Sequence, residues 1–365
     1  MLFTELAAIP TPPGEERPVA DRVLKYLRDL DLDPIEDDAG PQIGSNMGNV
    51  YARIEPTTEG TPIFLCAHLD TVPPEGPIEP AVSDGVVRNA AGTILGADNK
   101  AAVAVMLEGA RRLLAEGRPH AGVELLFTPK EEVGLLGAGA FDHRRLRASV
   151  GFVYDQAAPI GEIIVGAPHS YSMEVRFHGR AAHAGMYPEE GRSAIAAAAK
   201  AIADFRLGRL DDETSANVGV IEGGTAGNVI PEWCRFLAEA RSHDERKLAD
   251  VVREMMETIA FAATVAECDV ETEVHKSYTG YRFKPDDLPI RLAVRALEAC
   301  GHPPRLELTG GGADANVFNE RGLQCVNLAN GMANIHTADE EIAVADLEAM
   351  AEVTLALIDA ARDAA

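Results

Sequence analysis

Ile63-Phe-Leu-Cys-Ala-His68-Leu69-Asp70 is an apolar run that ends in an imidazole and a carboxylate. Turn formers bound it, Gly60-Thr-Pro62 before and Pro73-Pro74 after, which is the pattern of a short, fully buried strand. Side chains alternate along a strand, so His68 and Asp70 project to one side at its carboxyl end. In open α/β sheets that end is where ligands bind. A neutral imidazole there can bind a metal, with a carboxylate two residues on holding the ion or the tautomer. Taken alone, an H-x-D triplet is more often a satisfied polar strand end than a metal site, so the rest of the chain has to decide.

Downstream, Gly92-Thr-Ile-Leu-Gly-Ala-Asp98-Asn99-Lys100 follows a long Pro/Gly loop and leads into the clearest helix of the sequence. Val103, Met106, Leu107, Ala110, Leu113 and Leu114 form one apolar stripe at helical spacing. By position alone Asp98 reads as the N-cap of that helix. Val123-Glu-Leu-Leu-Phe-Thr128 is a second buried strand and runs into Pro129-Lys130-Glu131-Glu132-Val133-Gly134. Phe152-Val-Tyr154 is a third, ending at Asp155. Upstream, Asn49–Ile54 alternates as a strand, and two helices, over 2–9 and from Gly14-Glu15-Glu16, precede it. The alternation of strand and helix predicts a mostly parallel sheet with helices on both faces. Each acidic residue named then falls at one rim of that sheet, and this convergence is the argument for a site.

After about residue 166 the pattern changes. Ser170–His178, Thr214–Glu222, Glu232–Ser242 and Val270–Lys276 read as strands, with helices over Ser193–Phe205 and Glu245–Ala266. The order β-α-β-β-α-β is the ferredoxin-like signature. Helices return over Pro289–Cys300 and Val344–Ala361, with a short strand near Gln324–Leu328. The expected architecture is an α/β catalytic domain, residues 1–166 and 279–365, interrupted by an inserted ferredoxin-like α+β lid, residues 167–278.

The chain has 365 residues, 46% apolar and 25% charged, the composition of an ordinary globular protein of two-domain size. Its formal net charge of −25 argues against nucleic acid or an anionic membrane as partner. Five scattered cysteines without a C-x-x-C pair point to free thiols in a reducing compartment. No signal peptide or membrane-spanning run is apparent, so the expected location is the cytoplasm.

His68, Asp98, Glu132, Asp155 and His336 form a mixed N/O donor set suited to zinc, cobalt or manganese, with no thiolate as in closed structural zinc sites. Two ions about 3.5–4 Å apart could each take one histidine and one terminal carboxylate and share a bridging carboxylate, which uses all five residues. Glu131 and Glu132 are adjacent, so in an extended segment they point in opposite directions. One would then bind metal while the other takes the proton of the attacking water.

Ala67-His68-Leu-Asp70-Thr-Val72, Gly96-Ala-Asp98-Asn-Lys100, Thr128-Pro-Lys-Glu131-Glu132-Val-Gly134, Tyr154-Asp155 and Asn334-Ile-His336-Thr337 are similar, in order and spacing, to the co-catalytic zinc exopeptidase family. The resemblance extends over nearly the whole chain and is strongest to the peptidase T branch. It implies a phosphorylase/hydrolase-like catalytic domain with two zinc ions. His68, Asp98 and Asp155 would hold one, and Asp98, Glu132 and His336 the other, with Asp98 bridging. Asp70 would orient His68, and Glu131 would be the general base that later protonates the leaving amine. The resemblance further implies a lid that serves as a dimerisation domain. From that lid come substrate-binding positions: His183 in Gly179-Arg-Ala-Ala-His183-Ala-Gly185, Asn228 in Gly227-Asn228-Val-Ile-Pro231, and Arg241 in Glu239-Ala-Arg241-Ser242. It also makes Gly310–Asn316 a backbone-lined part of the substrate pocket. Asn99 and Lys130 stand where peptidase T-type sequences often carry acidic residues. Neither removes a ligand, and Lys130 could alter the charge near the substrate's amino end.

The expectation is therefore a dinuclear zinc hydrolase of short peptides, an aminopeptidase or tripeptidase acting as a homodimer. A deacylase or carboxypeptidase on the same site is the alternative within the family. A non-catalytic metal-binding protein is the alternative outside it, and Glu131, useless for mere binding, speaks against that.

Overall fold

The computed structural model describes residues 1–157 and 159–364 and divides into two compact units, Met1–Gly166 with Arg282–Ala365, and Ala167–Tyr281. The return crossing falls after Tyr281, beyond the expected residue 278. The last strand of the inserted unit runs to Tyr278, and Gly280 then lies so close to the Ala167 carbonyl and His169 that a β-carbon there would come within 2.8 Å of them.

In the larger unit, four parallel strands lie side by side in the order Val123–Thr128, Ile63–His68, Val150–Gln156, Gln324–Ala329. Antiparallel strands flank them, Val50–Ile54 on one side and Glu162–Ala167 on the other, so the sheet is mixed. The parallel strands are buried on both faces, which is why Ile63–His68 and Val123–Thr128 are near-continuous apolar runs. Alternation sorts their side chains. Ile63, Leu65 and Ala67 join the cluster formed with the helices Ala97–Ala115, Leu288–Ala299 and Val344–Arg362. Phe64 points the other way and meets Phe318 of the helix Asp314–Glu320 edge-on, ring centroids 5.0 Å apart. The neighbouring strand makes room for that ring with Gly151, where a β-carbon would sit 2.1 Å from Phe64. A buried Phe or Leu of this kind contributes about 1.5–3 kcal/mol.

Parallel pairing has a direct consequence for function. The four carboxyl ends share one rim, where His68 and Asp155 close their strands and the segments that follow the others carry Glu131, Glu132 and His336.

The loop expected between Pro73 and Gly92 is in part a small sheet of Pro80–Ser83, Val86–Asn89 and Glu341–Ala343. Its hairpin turns at Asp84-Gly85, with φ of 52° and 77°, the left-handed pair of a type I′ turn. That dipeptide flanked by valines was the signal, and the surrounding prolines obscured it.

The inserted unit is an antiparallel sheet in the order Thr214–Gly223, Trp233–Ser242, His169–His178, Asp269–Tyr278, with Gly208–Arg209 on part of its first edge. The helices Ala194–Asp204 and Glu245–Ala266 pack with it around one core, capped by the Ser193 hydroxyl and the Asp244 carboxylate. Along Trp233–Ser242 every second residue from Cys234 to Ser242 is buried, the half-buried alternation of a two-layer α+β unit. Among the described residues no helix is long and apolar enough to cross a membrane.

Candidate metal centre

Asp98 does not cap its helix. Its dihedrals are non-helical (φ −81°, ψ 103°), the Asp98–Asn99 peptide is cis, and Gly96, in the left-handed region, precedes the helix instead. The carboxylate lies between two imidazoles, one on each oxygen. Nε2 of His68 is 3.2 Å from Oδ1, and Nε2 of His336 is 3.2 Å from Oδ2. His68 Nε2 is also 3.7 Å from Asp155 Oδ1, and His336 Nε2 is 3.0 Å from Glu132 Oε1. The five residues thus form two triads that share Asp98. The ligating atoms of His68, Asp98 and Glu132, and those of His68, Glu131 and Asp155, lie within 4.8 Å of one another.

Glu131 and Glu132 are not in an extended segment. Lys130 has a φ of 56°, and the N–H groups of Gly134 and Leu135 both donate to the Glu131 carbonyl, so the pair opens a tight turn. The turn still separates them. Glu132 meets His336, while Glu131 lies beside His68 and Asp155 and is only 8% exposed.

The Asp70 carboxylate is chiefly engaged by that turn. Its Oδ1 accepts from the N–H of Glu131 (2.9 Å) and its Oδ2 from the N–H of Glu132 (3.1 Å). The imidazole of His68 is oriented by Asp70 mainly through the backbone: Nδ1 is 2.9 Å from the Asp70 carbonyl and 3.5 Å from its carboxylate. An Nδ1–H donated there leaves Nε2 as the free lone pair. Lys130, expected by resemblance near the substrate's amino end, has its Nζ donating to the Ile43 carbonyl at 2.8 Å.

Further side chains that sequence reading missed hold the remaining segments. The Asn327 side-chain amide is paired with the main chain of Asp155, accepting from its N–H (2.8 Å) and donating to its carbonyl (2.7 Å). Glu16, fully buried, accepts from the N–H of Gly14 and Lys130 and from the Ser45 hydroxyl. Glu340 accepts from the N–H of Leu95, Gly96 and Asp98. Asp314, within the Gly310–Asn316 segment, is buried against Thr128, whose hydroxyl donates to it at 2.6 Å. Apart from the Gly14 N–H beside Glu16, every partner lies on a distant segment, so none of these contacts carries a local sequence signature.

The electrostatics of the cluster is that of an excess of carboxylates. Burial raises Asp155 to a pKa of about 8, with the charge of Asp98 adding to it. Glu131 is pushed well above the usual carboxylate range by burial and then by Asp155. Hydrogen bonds donated to the carboxylates of Asp98 and Glu132 lift His336 to about 10. Burial opposes the charged form of His68, but Asp155, Asp70 and Asp98 outweigh it and hold its pKa well above normal. Burial likewise opposes ionised Asp98, and the two histidines outweigh it. In protein alone, protons must neutralise the cluster. Divalent cations do the same work with the histidines neutral. The spacing fits as well: donors bound tetrahedrally at 2.0–2.1 Å stand about 3.3 Å apart, and the pairs here span 3.0–3.7 Å.

Comparison with known proteins agrees with this geometry. The profile of peptidase family M20/M25/M40 matches residues 64–360. The chain belongs to that family. It is 38% identical to an aminopeptidase PepT from Bacillus cereus, with a TM-score of 0.87 over 98% of this chain and 96% of that one. It is 32% identical to a tripeptidase from Staphylococcus aureus, with a TM-score of 0.92 over 99% and 97%. The uncharacterised protein YqjE of Bacillus subtilis is 37% identical over 98% of this chain and 97% of its own length. As a member of the M20 peptidases, the chain is a hydrolase that acts on peptides.

The substrate-binding residues expected by resemblance lie in the inserted unit. His183 and Asn228 are brought together there: His183 and Val229 form a β-bridge, and the N–H of Ala184 donates to the Asn228 carbonyl at 3.0 Å. Both are exposed, and His183 Nδ1 accepts from the Gly185 N–H at 3.2 Å. Arg241 stands apart from them on the strand Trp233–Ser242, opposite Ser170 and Ser215, with Nη2 2.9 Å from Glu239.

Proposed function

We propose that this M20 peptidase is a dinuclear zinc aminopeptidase that removes the first residue of short peptides, tripeptides foremost. The observation that carries the reading is Asp98, whose two oxygens each face a histidine that is also beside a second carboxylate. On this reading His68, Asp98 and Asp155 hold one zinc and Asp98, Glu132 and His336 the other, with cobalt or manganese as substitutes. When bound, the ions supply Lewis acidity for the scissile carbonyl and acidify the attacking water. Glu131 takes that water's proton and returns it to the leaving amine. Its burial and the neighbouring negative charge suit the task, because both favour a carboxylate ready to accept a proton. Asp70 holds the turn that presents Glu131. The tripeptide preference rests on likeness to the two proteins of 38% and 32% identity.

The same reading makes residues 167–278 a lid that supplies His183, Asn228 and Arg241 to the substrate and pairs two copies into a homodimer. Support comes from its edge. Beyond Ser215 and Ala216, the outer side of Thr214–Gly223 pairs with no described strand, and Val220 and Ile221 on it are exposed. A cytoplasmic location fits the five free thiols.

The test is release of free amine from di- and tripeptides and from N-acetyl amino acids, before and after exhaustive chelation. Tripeptides should be cleaved at the first bond, chelation should abolish cleavage, and zinc, cobalt or manganese should restore it. Cleavage confined to the N-acetyl compounds would make the protein a deacylase. Full activity in protein shown metal-free by elemental analysis would refute the metal assignment.

A further inference from the structure

We propose that Glu340 is a positioning residue for Asp98, fixing the main chain from which the shared carboxylate of the cluster projects. The inference rests on the metal reading above and concerns a residue outside the donor set.

Glu340 is 2% exposed. Its Oε2 accepts from the N–H of Leu95 (2.8 Å) and Gly96 (2.7 Å), and its Oε1 from the N–H of Asp98 (2.9 Å). These residues are buried and lie where the chain has not yet entered regular helix. Gly96, at φ 75°, takes a left-handed conformation that a side chain would oppose. Successive N–H groups turned toward one point make a cradle for an anion, and here the anion belongs to the protein.

The source of that carboxylate gives the contact its meaning. Glu340 sits on the loop that carries His336. The loop is closed at its base by the bridge between Ala333 and Glu341, with N–H···O distances of 3.0 and 3.1 Å in the two directions. Within it the Glu340 N–H donates to the Thr337 carbonyl (3.2 Å), and the Thr337 hydroxyl donates to the Asn334 carbonyl (2.7 Å). Beyond it Glu341–Ala343 pairs with Val86–Asn89. One braced loop therefore grips residue 98 twice, His336 at the side chain and Glu340 at the backbone N–H. The separation of His336 from Asp98, on which the ion held by Asp98, Glu132 and His336 depends, is set by two contacts from the same support.

Glu340→Gln tests this with little change of shape. Both oxygens of Glu340 are occupied by N–H donors, so the amide nitrogen of glutamine must face at least one of them, donor to donor. The orientation that keeps Leu95 and Gly96 satisfied sets the conflict at Asp98. Zinc affinity, measured by competition with a chromophoric chelator, should fall about 10–100-fold, the usual effect of losing a partner that orients a metal ligand. The visible spectrum of the cobalt-substituted protein should change with it. Asp339→Asn, at the exposed residue just before it, should leave both readouts as in wild type. Glu340→Asp keeps the charge but is one methylene short. It should lie between wild type and Glu340→Gln, and it carries the comparison if the glutamine variant does not fold. A folded Glu340→Gln or Glu340→Asp variant with wild-type zinc affinity and cobalt spectrum, even if it melts lower, would overturn the proposal and leave Glu340 an ordinary loop cap. Wild-type protein that takes up no zinc would remove the metal reading and this inference with it.

Discussion

Replacing Asp70 by Asn separates two ways in which that carboxylate could serve the site. In the structure both of its oxygens are engaged by main chain, one by the Glu131 N–H at 2.9 Å and one by the Glu132 N–H at 3.1 Å. An asparagine can accept only one of them, and its amide then faces the other donor to donor. A hydrogen bond to a charged acceptor is lost and a buried N–H is left unpaired, together about 2–4 kcal/mol. For a unit of this size, at about 2–4 °C per kcal/mol, the melting temperature should fall by about 5–15 °C. The turn that aims Glu131 would loosen at the same time, and a displacement of about 1 Å can cost roughly 10²-fold in rate. The assays are thermal unfolding followed by circular dichroism and tripeptide hydrolysis by zinc-loaded enzyme, with kcat and KM determined separately. The loss should appear in kcat, with KM little changed. If Asp70→Asn melts within a degree or two of wild type and kcat is unchanged, the carboxylate does not hold the turn. If stability is intact and only zinc affinity falls, Asp70 acts through His68 instead.

Two further outcomes follow from the site. On the proposed roles, Glu131→Gln should lower turnover by at least about 10²-fold while metal content stays near wild type, as expected when a proton acceptor and not a ligand is removed; Glu132→Gln should lose one metal ion, and metal loss on the first variant instead of the second would reverse the two roles. On the proposed homodimer, the His183→Ala and Glu131→Gln proteins should each be nearly inactive, and exchange of subunits between them should restore activity if His183 serves the neighbouring site, whereas exchange proven by two mass tags without recovery would exclude donation in trans.

The parts of this protein legible in the sequence are those written in local periodicity. The buried strand ending at His68, the helical stripe from Val103 to Leu114 and the antiparallel order of the inserted unit all follow from spacing over a few residues. Their ends fall within a few residues of the expected ones. The Asp84-Gly85 hairpin was equally local and was hidden by the prolines around it. Asp98 was misread by position because capping is the default for an acidic residue before a helix, and only the approach of His68 and His336 gives its carboxylate stronger partners than the helix N-terminus.

By itself the sequence determined that His68, Asp98, Glu132, Asp155 and His336 would gather. Strands in parallel order must end at one rim; His68, Glu132, Asp155 and His336 follow or border such ends, and Asp98 opens the helix that lies between two of them. The tertiary structure alone decided how they meet. It assigned one oxygen of Asp98 to each histidine, turned Glu131 and Glu132 apart through a tight turn rather than along a strand, committed Asp70 to two N–H groups, and directed Lys130 to Ile43. It also brought Glu340 onto Asp98 and Asn327 onto Asp155. The reason is that a hydrogen-bonding group has no preference for a particular partner until packing removes water and leaves few within reach. Those few come from segments separated by 242 residues in one case and 172 in the other, far beyond any pattern that local spacing records.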